Sequence, residues 1–229
     1  MDDIKYLKDI NNFHLYYVES IGSTNTFLKD NYFKYPNNSI LLAYKQTNGR
    51  GRYTRVWQSD DDYTFSILLK NKYHNEIIAP LAIVRGLKKY DIDTKIKWPN
   101  DIYYNNKKLS GILIEDIYLG SDYQASVIGI GINKYDKPEV FGIGINKDIP
   151  KEELIEAIMN EYNNLLQEEY DNYIKEYISY SNVINKIIIY QNKEYLVEGI
   201  NERGHLLLNN NGIIKEISCD EINIKDALK

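Results

Sequence analysis

Only one cysteine, Cys219, occurs in 229 residues, so no intrachain disulfide can form and no cysteine-rich metal centre can be built. Histidine is almost as scarce: His14, His74 and His205 lie far apart and make no metal-ligand spacing. No apolar run approaches the ~20 residues needed to span a bilayer. The opening MDDIKYLKDI mixes acid and base where a signal peptide requires an apolar core, so a cytoplasmic, membrane-free protein is expected. An excess of positive charge is lacking too. The 28 Lys+Arg against 33 Asp+Glu give a net charge of −5, which argues against a general nucleic-acid binder. No GxxxxGK[ST] phosphate loop follows a strand. What is present fits a folded globular chain: 27% charged and 43% hydrophobic residues, with length for one medium domain and a small appendage.

The chemistry concentrates in Lys97–Glu115, KWPNDIYYNNKKLSGILIE. Lys95 and Lys97 alternate with Ile96 and Trp98, so the cations share one face of a strand and the apolar side chains the other. Pro99-Asn100-Asp101 is turn chemistry, because proline fixes φ and Asn and Asp accept local backbone bonds. A second turn at Asn105-Asn106 leads into a strand over 107–115, with Gly111 where something approaches the backbone closely. The arrangement aims two ammonium groups, Lys97 and Lys108, at one place. Alone, it is equally a pair of surface hairpins with solvated lysines.

Other stretches supply the scaffold. Residues 14–19 read as a strand, followed by a short helix that Ser23 or Thr24 caps through a side-chain oxygen. A strand over 39–46 delivers Gln46 to the loop GRGRYTRVW at 49–57. There Gly49 and Gly51 expose backbone N–H groups, while Arg50, Arg52 and Arg55 add cationic forks suited to a carboxylate or phosphate. Arginine repulsion and glycine freedom predict a loose loop in the absence of ligand. Strands follow at 63–70 and 124–133, with a helix over 77–90 between them. The motif GIGIN occurs twice, at 129–133 and 142–146; the second copy reads as another strand and has no functional account. A helix starts at Asp148–Pro150, with Leu154, Ile155, Ile158, Tyr162, Leu165 and Leu166 on one face. Beyond 183 the pattern changes to short alternating strands at 186–190, 195–201, 205–208 and 213–217, with Asn211-Gly212 a hairpin signal. The expected division is 1–183 for a catalytic domain and 184–229 for a small β-barrel-like module.

Taken in order, Gly22-Ser23-Thr24-Asn25, Gln46, GRGRYTRVW, KWPND, KKLSGILIE and the first GIGIN resemble the biotin protein ligase family, over about 110 residues. The resemblance implies an α+β fold related to class II aminoacyl-tRNA synthetases: a mixed, mostly antiparallel sheet with packed helices. It implies that biotin and ATP, with Mg2+, give biotinyl-5′-AMP and pyrophosphate. A lysine of a biotin carboxyl carrier domain then attacks, as in a biotin–[acetyl-CoA-carboxylase] ligase. Lys108, Lys97 and Arg52 are the implied catalytic groups, where each fixed donor can contribute ~2.7–4 kcal/mol to lowering the barrier. Ser23, Thr24, Asn25, Gln46, Arg50, Gly51 and Gly111, with Arg52 and Lys108, are implied to bind biotin or its adenylate. Trp57, Asn100, Asp101, Gly131 and Asn133 are implied on the nucleotide side. Asp101 either helps hold the metal or orients Lys97; no protein-only metal site is identifiable.

Two departures stand out. Thr54 occupies a position where the family usually has glycine, and Asp60-Asp61-Asp62 replaces a stretch usually richer in glycine and asparagine, placing unexplained negative charge near an anion site. Two rival readings remain. One is a lipoate or octanoate ligase or transferase of related fold, against which KWPND and GRGR weigh. The other is a biotin-responsive DNA-binding regulator. The biotin motif begins near residue 20, so no helix-turn-helix domain is expected ahead of it and no DNA partner is expected. Homodimerisation is left open.

Overall fold

The computed structural model describes residues 3–59, 61–220 and 222–225. Its centre is an eight-stranded sheet in the order β1-β2-β3-β4-β8-β7-β6-β5. The strands are β1 (Lys5–Ile10), β2 (Phe13–Ile21), β3 (Ser39–Gln46), β4 (Tyr63–Leu69), β5 (Lys95–Lys97), β6 (Asp101–Tyr104), β7 (Lys107–Leu119) and β8 (Asp122–Ile132). All neighbours pair antiparallel except β2 and β3. A parallel pair needs a crossover, and helix α1 (Thr24–Asp30) lies in it.

The period of two in the strands separates two cores. Ile40 and Leu42 of β3 join the larger one, with Phe65, Ile67, Ile128 and Ile130. Helices α2 (Asn75–Lys88), α3 (Lys151–Leu165) and α4 (Tyr170–Tyr180) pack on that side. Alternate residues Leu41, Ala43, Leu68 and Val127 face the other way and close over Leu28 of α1. α2 is buried nearly all round, from Ile77 to Leu87. The fully buried Tyr162 hydroxyl donates to Asn75 Oδ1 at 2.7 Å, and burial raises its pKa well above the usual value.

Apart from the second GIGIN, the expected elements are present with shifts of a few residues, while β1, α4 and a last strand at Asn223–Ile224 were not expected from the sequence. The second sheet holds β9 (Ile187–Tyr190), β10 (Lys193–Ile200), β11 (Leu206–Asn210), β12 (Ile213–Ile217) and β13 (Asn223–Ile224). Its order is β12-β11-β10-β9-β13, antiparallel throughout, with β12 and β13 at its ends. It meets the first sheet where the buried Trp98 donates its Nε1–H to the Gly204 carbonyl at 2.9 Å. Among the described residues no helix is long and apolar enough to cross a membrane.

Candidate active site

On the α1 side of the large sheet, the apolar core gives way to small residues. Leu68 and Val127 are followed, on the same face, by Ser66 and by Gly129 and Gly131, while Gly111 of β7 lies opposite Gly131. A cleft opens over this floor, and the sequence motifs converge on it. The residues lining it include Ser23, Thr24, Asn25, Gln46, Arg50, Gly51, Arg52, Trp57, Lys97, Asn100, Asp101, Lys108, Gly111 and Gly131. Ile222, just ahead of β13, lines the same cleft.

One end is a wall of neutral hydrogen-bonding groups. Ser23 caps α1 by accepting from the Thr26 N–H at 3.4 Å. Gln46 Oε1 accepts from the Thr24 N–H at 2.8 Å and from its hydroxyl at 3.1 Å, and that hydroxyl also meets Ser66 Oγ at 2.7 Å. Asn25 donates from Nδ2 to Glu115 Oε2 at 2.7 Å, and its Oδ1 is buried without a protein partner. A Cβ on Gly129 would lie 2.6 Å from that oxygen, so only glycine leaves it open. Burial of an acceptor without a bond is costly, which marks Asn25 Oδ1 as a place for a ligand's donor.

The other end is cationic. Gly131 lies two residues beyond Gly129 on one face, about 6.8 Å along the strand. There the Lys108 ammonium forms an ion pair with Asp101 Oδ1 at 2.7 Å. Lys97 sits over the Tyr103 ring, 5.4 Å from its centroid, so Asp101 faces Lys108 and not Lys97. The Trp57 indole covers the floor: a Cβ on Gly131 would meet it at 2.4 Å and one on Gly111 at 3.2 Å.

The arginine-glycine loop forms a hairpin across the mouth. Gly51 N–H donates to Arg55 O at 2.8 Å and Trp57 N–H to Gly49 O at 3.0 Å, with Tyr53 in the left-handed region at φ 58°. Arg50 reaches Glu115 Oε1 and Thr26 Oγ1, both at 3.0 Å; Arg52 donates to Asn100 Oδ1 at 3.1 Å and to Cys219 Sγ at 3.2 Å. These partners lie across the cleft, and among them only Glu115 is an acid; Thr26, Asn100 and Cys219 bind the arginines without neutralising them. Burial alone would push the Glu115 carboxyl up, but bonds from Lys29, Asn25 and Arg50 hold it below the usual range.

Three sequence readings change in three dimensions. Asn133 stands behind the cleft, where its Nδ2 donates to the carbonyls of Lys108 at 3.2 Å and Ile143 at 3.1 Å. The second GIGIN is not a strand: it runs as an irregular segment, bridged at Gly142 to Lys108 and Lys137. The aspartates acquire partners, Asp60 lying outside the described residues. Asp61 pairs with Lys134 at 3.0 Å and Lys151 at 3.1 Å, and Asp62 is buried against Lys137. Burial pushes the Asp62 carboxyl up, with Lys137 opposing; burial likewise lowers Lys151. Ser66 and Glu115 were given no role from sequence, although Glu115 closes the KKLSGILIE motif. No group of three or more His, Cys, Asp or Glu side chains suited to a metal converges among the described residues.

The Biotin/lipoate A/B protein ligase family matches residues 17–133, just over half of the chain. The bifunctional ligase/repressor BirA of Bacillus subtilis is 36% identical over 140 residues, 56% of this chain and 42% of that protein. The chain thus spans about two fifths of that relative's length. The Escherichia coli protein of the same name is 29% identical over 235 residues, covering 91% of this chain and 73% of its own length. A biotin protein ligase from Aquifex aeolicus, solved in complex with biotin and ATP, superimposes with a TM-score of 0.76. It is 24% identical and covers 92% of this chain and 98% of its own.

Proposed function

Because this chain belongs to the biotin/lipoate A/B protein ligase family, we propose that it is an ATP-dependent biotin protein ligase acting on a biotin carboxyl carrier domain. The observation that carries this reading is one cleft with two unlike ends. A buried, unpartnered acceptor, Asn25 Oδ1, stands at one end, and cations gather over a glycine floor at the other.

A ureido head has N–H donors and a carbonyl acceptor. Its N–H suits Asn25 Oδ1, and Thr24, Gln46 and Ser66 line the same wall. The carboxylate then extends toward Lys108. In the first step a carboxylate oxygen attacks the α-phosphate of ATP and the bond to pyrophosphate breaks. Two anions must approach, so fixed cations at the meeting point lower the barrier. Lys108 stands there, with Lys97 and Arg52 beside it. Arg50 and Gly51 close over the product, and Trp57, Asn100 and Gly131 border the nucleotide side. Asp101 acts through Lys108 by holding its ammonium. In the second step the acceptor lysine's amine attacks the anhydride carbonyl and AMP leaves; the acceptor itself supplies the nucleophile. Mg2+ would arrive with the nucleotide phosphates, since no carboxylate cluster among the described residues fits it and Asp101 is engaged by Lys108.

The test is incubation of the protein with biotin, MgATP and a carrier domain. Biotin-dependent pyrophosphate release and a biotinylated carrier lysine are expected. Release supported by lipoate or octanoate but not by biotin would overturn the reading.

A further inference from the structure

Two features of the sequence take no part in the chemistry above: the acidic stretch after Trp57 and the second GIGIN. The structure joins them through Lys137. Its ammonium contacts the buried Asp62 carboxylate, donates to the Gln58 carbonyl at 2.5 Å, and lies 5.6 Å from the centroid of the Trp57 ring. Asp62 is fixed in turn, accepting from the Lys134 N–H at 3.1 Å, while Lys151 donates to the Asp61 and Asp62 carbonyls. Lys137 therefore holds the exit of the arginine-glycine loop, with Trp57 on it.

The backbone of the same residue holds the opposite wall. Lys137 and Gly142 exchange two hydrogen bonds, N–H to Gly142 O at 3.1 Å and O from Gly142 N–H at 2.9 Å. Gly142 bridges Lys108, and the next residue, Ile143, donates its N–H to the Lys108 carbonyl at 2.9 Å. Asp136 Oδ1 fixes the segment further by accepting from Gly144 N–H at 2.8 Å and Asn146 Nδ2 at 2.9 Å. One residue thus spans from the indole on the cleft floor to the backbone of the lysine at its cationic end. The side chains of Asp62 and Lys137 are 4% and 15% exposed, so the contact between them is sheltered from solvent screening.

We propose that Asp62 and Lys137 are a positioning pair that sets the Trp57 indole against the Lys108 ammonium, with Gly142–Ile143 carrying that placement to Lys108. The proposal rests on the reading of the cleft as an adenylate-forming site. Misplacement of a reacting group by about 1 Å can lower a rate by about 100-fold. Loss of the pair should therefore slow the first step even though neither side chain touches substrate.

The experiment uses the full chain with Lys137→Met, Asp62→Asn and the conservative Lys137→Arg. Two quantities are measured well below the melting temperature. One is the single-turnover rate of adenylate formation at saturating biotin and ATP; the other is the emission of Trp57, isolated by subtracting the spectrum of Trp57→Phe. Lys137→Met and Asp62→Asn should lower the rate by roughly 10- to 100-fold and shift the Trp57 emission, with Lys137→Arg recovering much of both. A pair that merely stabilises the fold would lower the melting temperature and leave rate and emission as in wild type, which would overturn the proposal. Should Asp62→Asn fail to fold, the two Lys137 variants decide by the same criteria. If the wild-type protein forms no adenylate from biotin, the functional reading fails instead. The emission arm still decides whether the pair positions Trp57: an emission unchanged in Lys137→Met overturns it.

Discussion

A methyl group on Gly131 tests the floor of the cleft directly. The new Cβ would lie 2.4 Å from Trp57 Cε2, 2.6 Å from Cζ2 and 2.8 Å from Nε1. Ordinary carbon contacts are about 3.5–4.0 Å, so the indole must retreat by roughly 1–1.5 Å. Its room to do so is limited: the Trp57 backbone N–H is bonded to Gly49 O at 3.0 Å, and the Lys137 ammonium stands by the ring. Forcing a methyl into such packing typically costs about 1–3 kcal/mol. For a chain of this size, Gly131→Ala should then lower Tm by about 2–12 °C. Calorimetry of Gly131→Ala, Trp57→Ala and the double variant separates the contact from a general effect on β8. With the indole gone the methyl meets nothing of it, so a coupling of about 1–3 kcal/mol is expected. The same substitution should slow adenylate formation, because a displaced indole moves against Lys108. A Gly131→Ala protein that melts with wild type, or one that loses as much stability in the Trp57→Ala background, would refute the argument.

Other consequences follow from the same contacts. Lys108→Ala should reduce pyrophosphate release by about 10²–10³-fold while the protein stays folded by circular dichroism; a wild-type rate would remove Lys108 from the first step. Glu115→Gln weakens the hold on Arg50, so trypsin should cut after Arg50 faster than in wild type, and equal rates would show that Glu115 does not restrain the loop. The Glu115 carboxyl is held below its unfolded value of 4.5. Its contribution to stability is therefore complete above that value and is lost as pH falls through the lower, folded one. The stability advantage of wild type over Glu115→Gln should shrink on acidification from about pH 6 to about pH 3, and denaturant melts showing a constant difference would contradict this. Asn25→Ala removes the open acceptor and should weaken biotin binding by about 1–3 kcal/mol in titration calorimetry; unchanged affinity would place the ureido head elsewhere.

Much of the scaffold was legible because it depends on local rules. The apolar run in SILLAYKQ reads as a strand, and a strand's period of two sends Ile40 and Leu42 to one core and Leu41 and Ala43 to the other. A serine before a short helix is enough to cap it. Spacing failed where the local signal was faint. β1 carries one buried residue, Ile10, at its end, and so shows no alternation. α4 buries Tyr173, Ile174 and Tyr177 at helical spacing, a stripe hidden by the tyrosines found throughout this chain. The residue types of the cleft were also legible, as motifs rich in arginine, lysine and glycine.

Which partner each side chain takes was decided only by the tertiary structure. Gln46 meets Thr24 across 22 positions, Arg50 meets Glu115 across 65, and Lys137 meets Asp62 across 75. Asn133 lies in a motif that suggests nucleotide contact, yet its amide is engaged with the backbone of Lys108 and Ile143. A strand's period fixes which face a side chain takes but not what stands opposite it, because neighbours across a sheet or loop are set by how the strands are ordered. The acidic stretch after Trp57 is the clearest case. In sequence it is unexplained charge beside an anion site, and in the fold Asp62 is a buried counter-ion, because β4 and the segment after β8 bring Asp62 and Lys137 into contact.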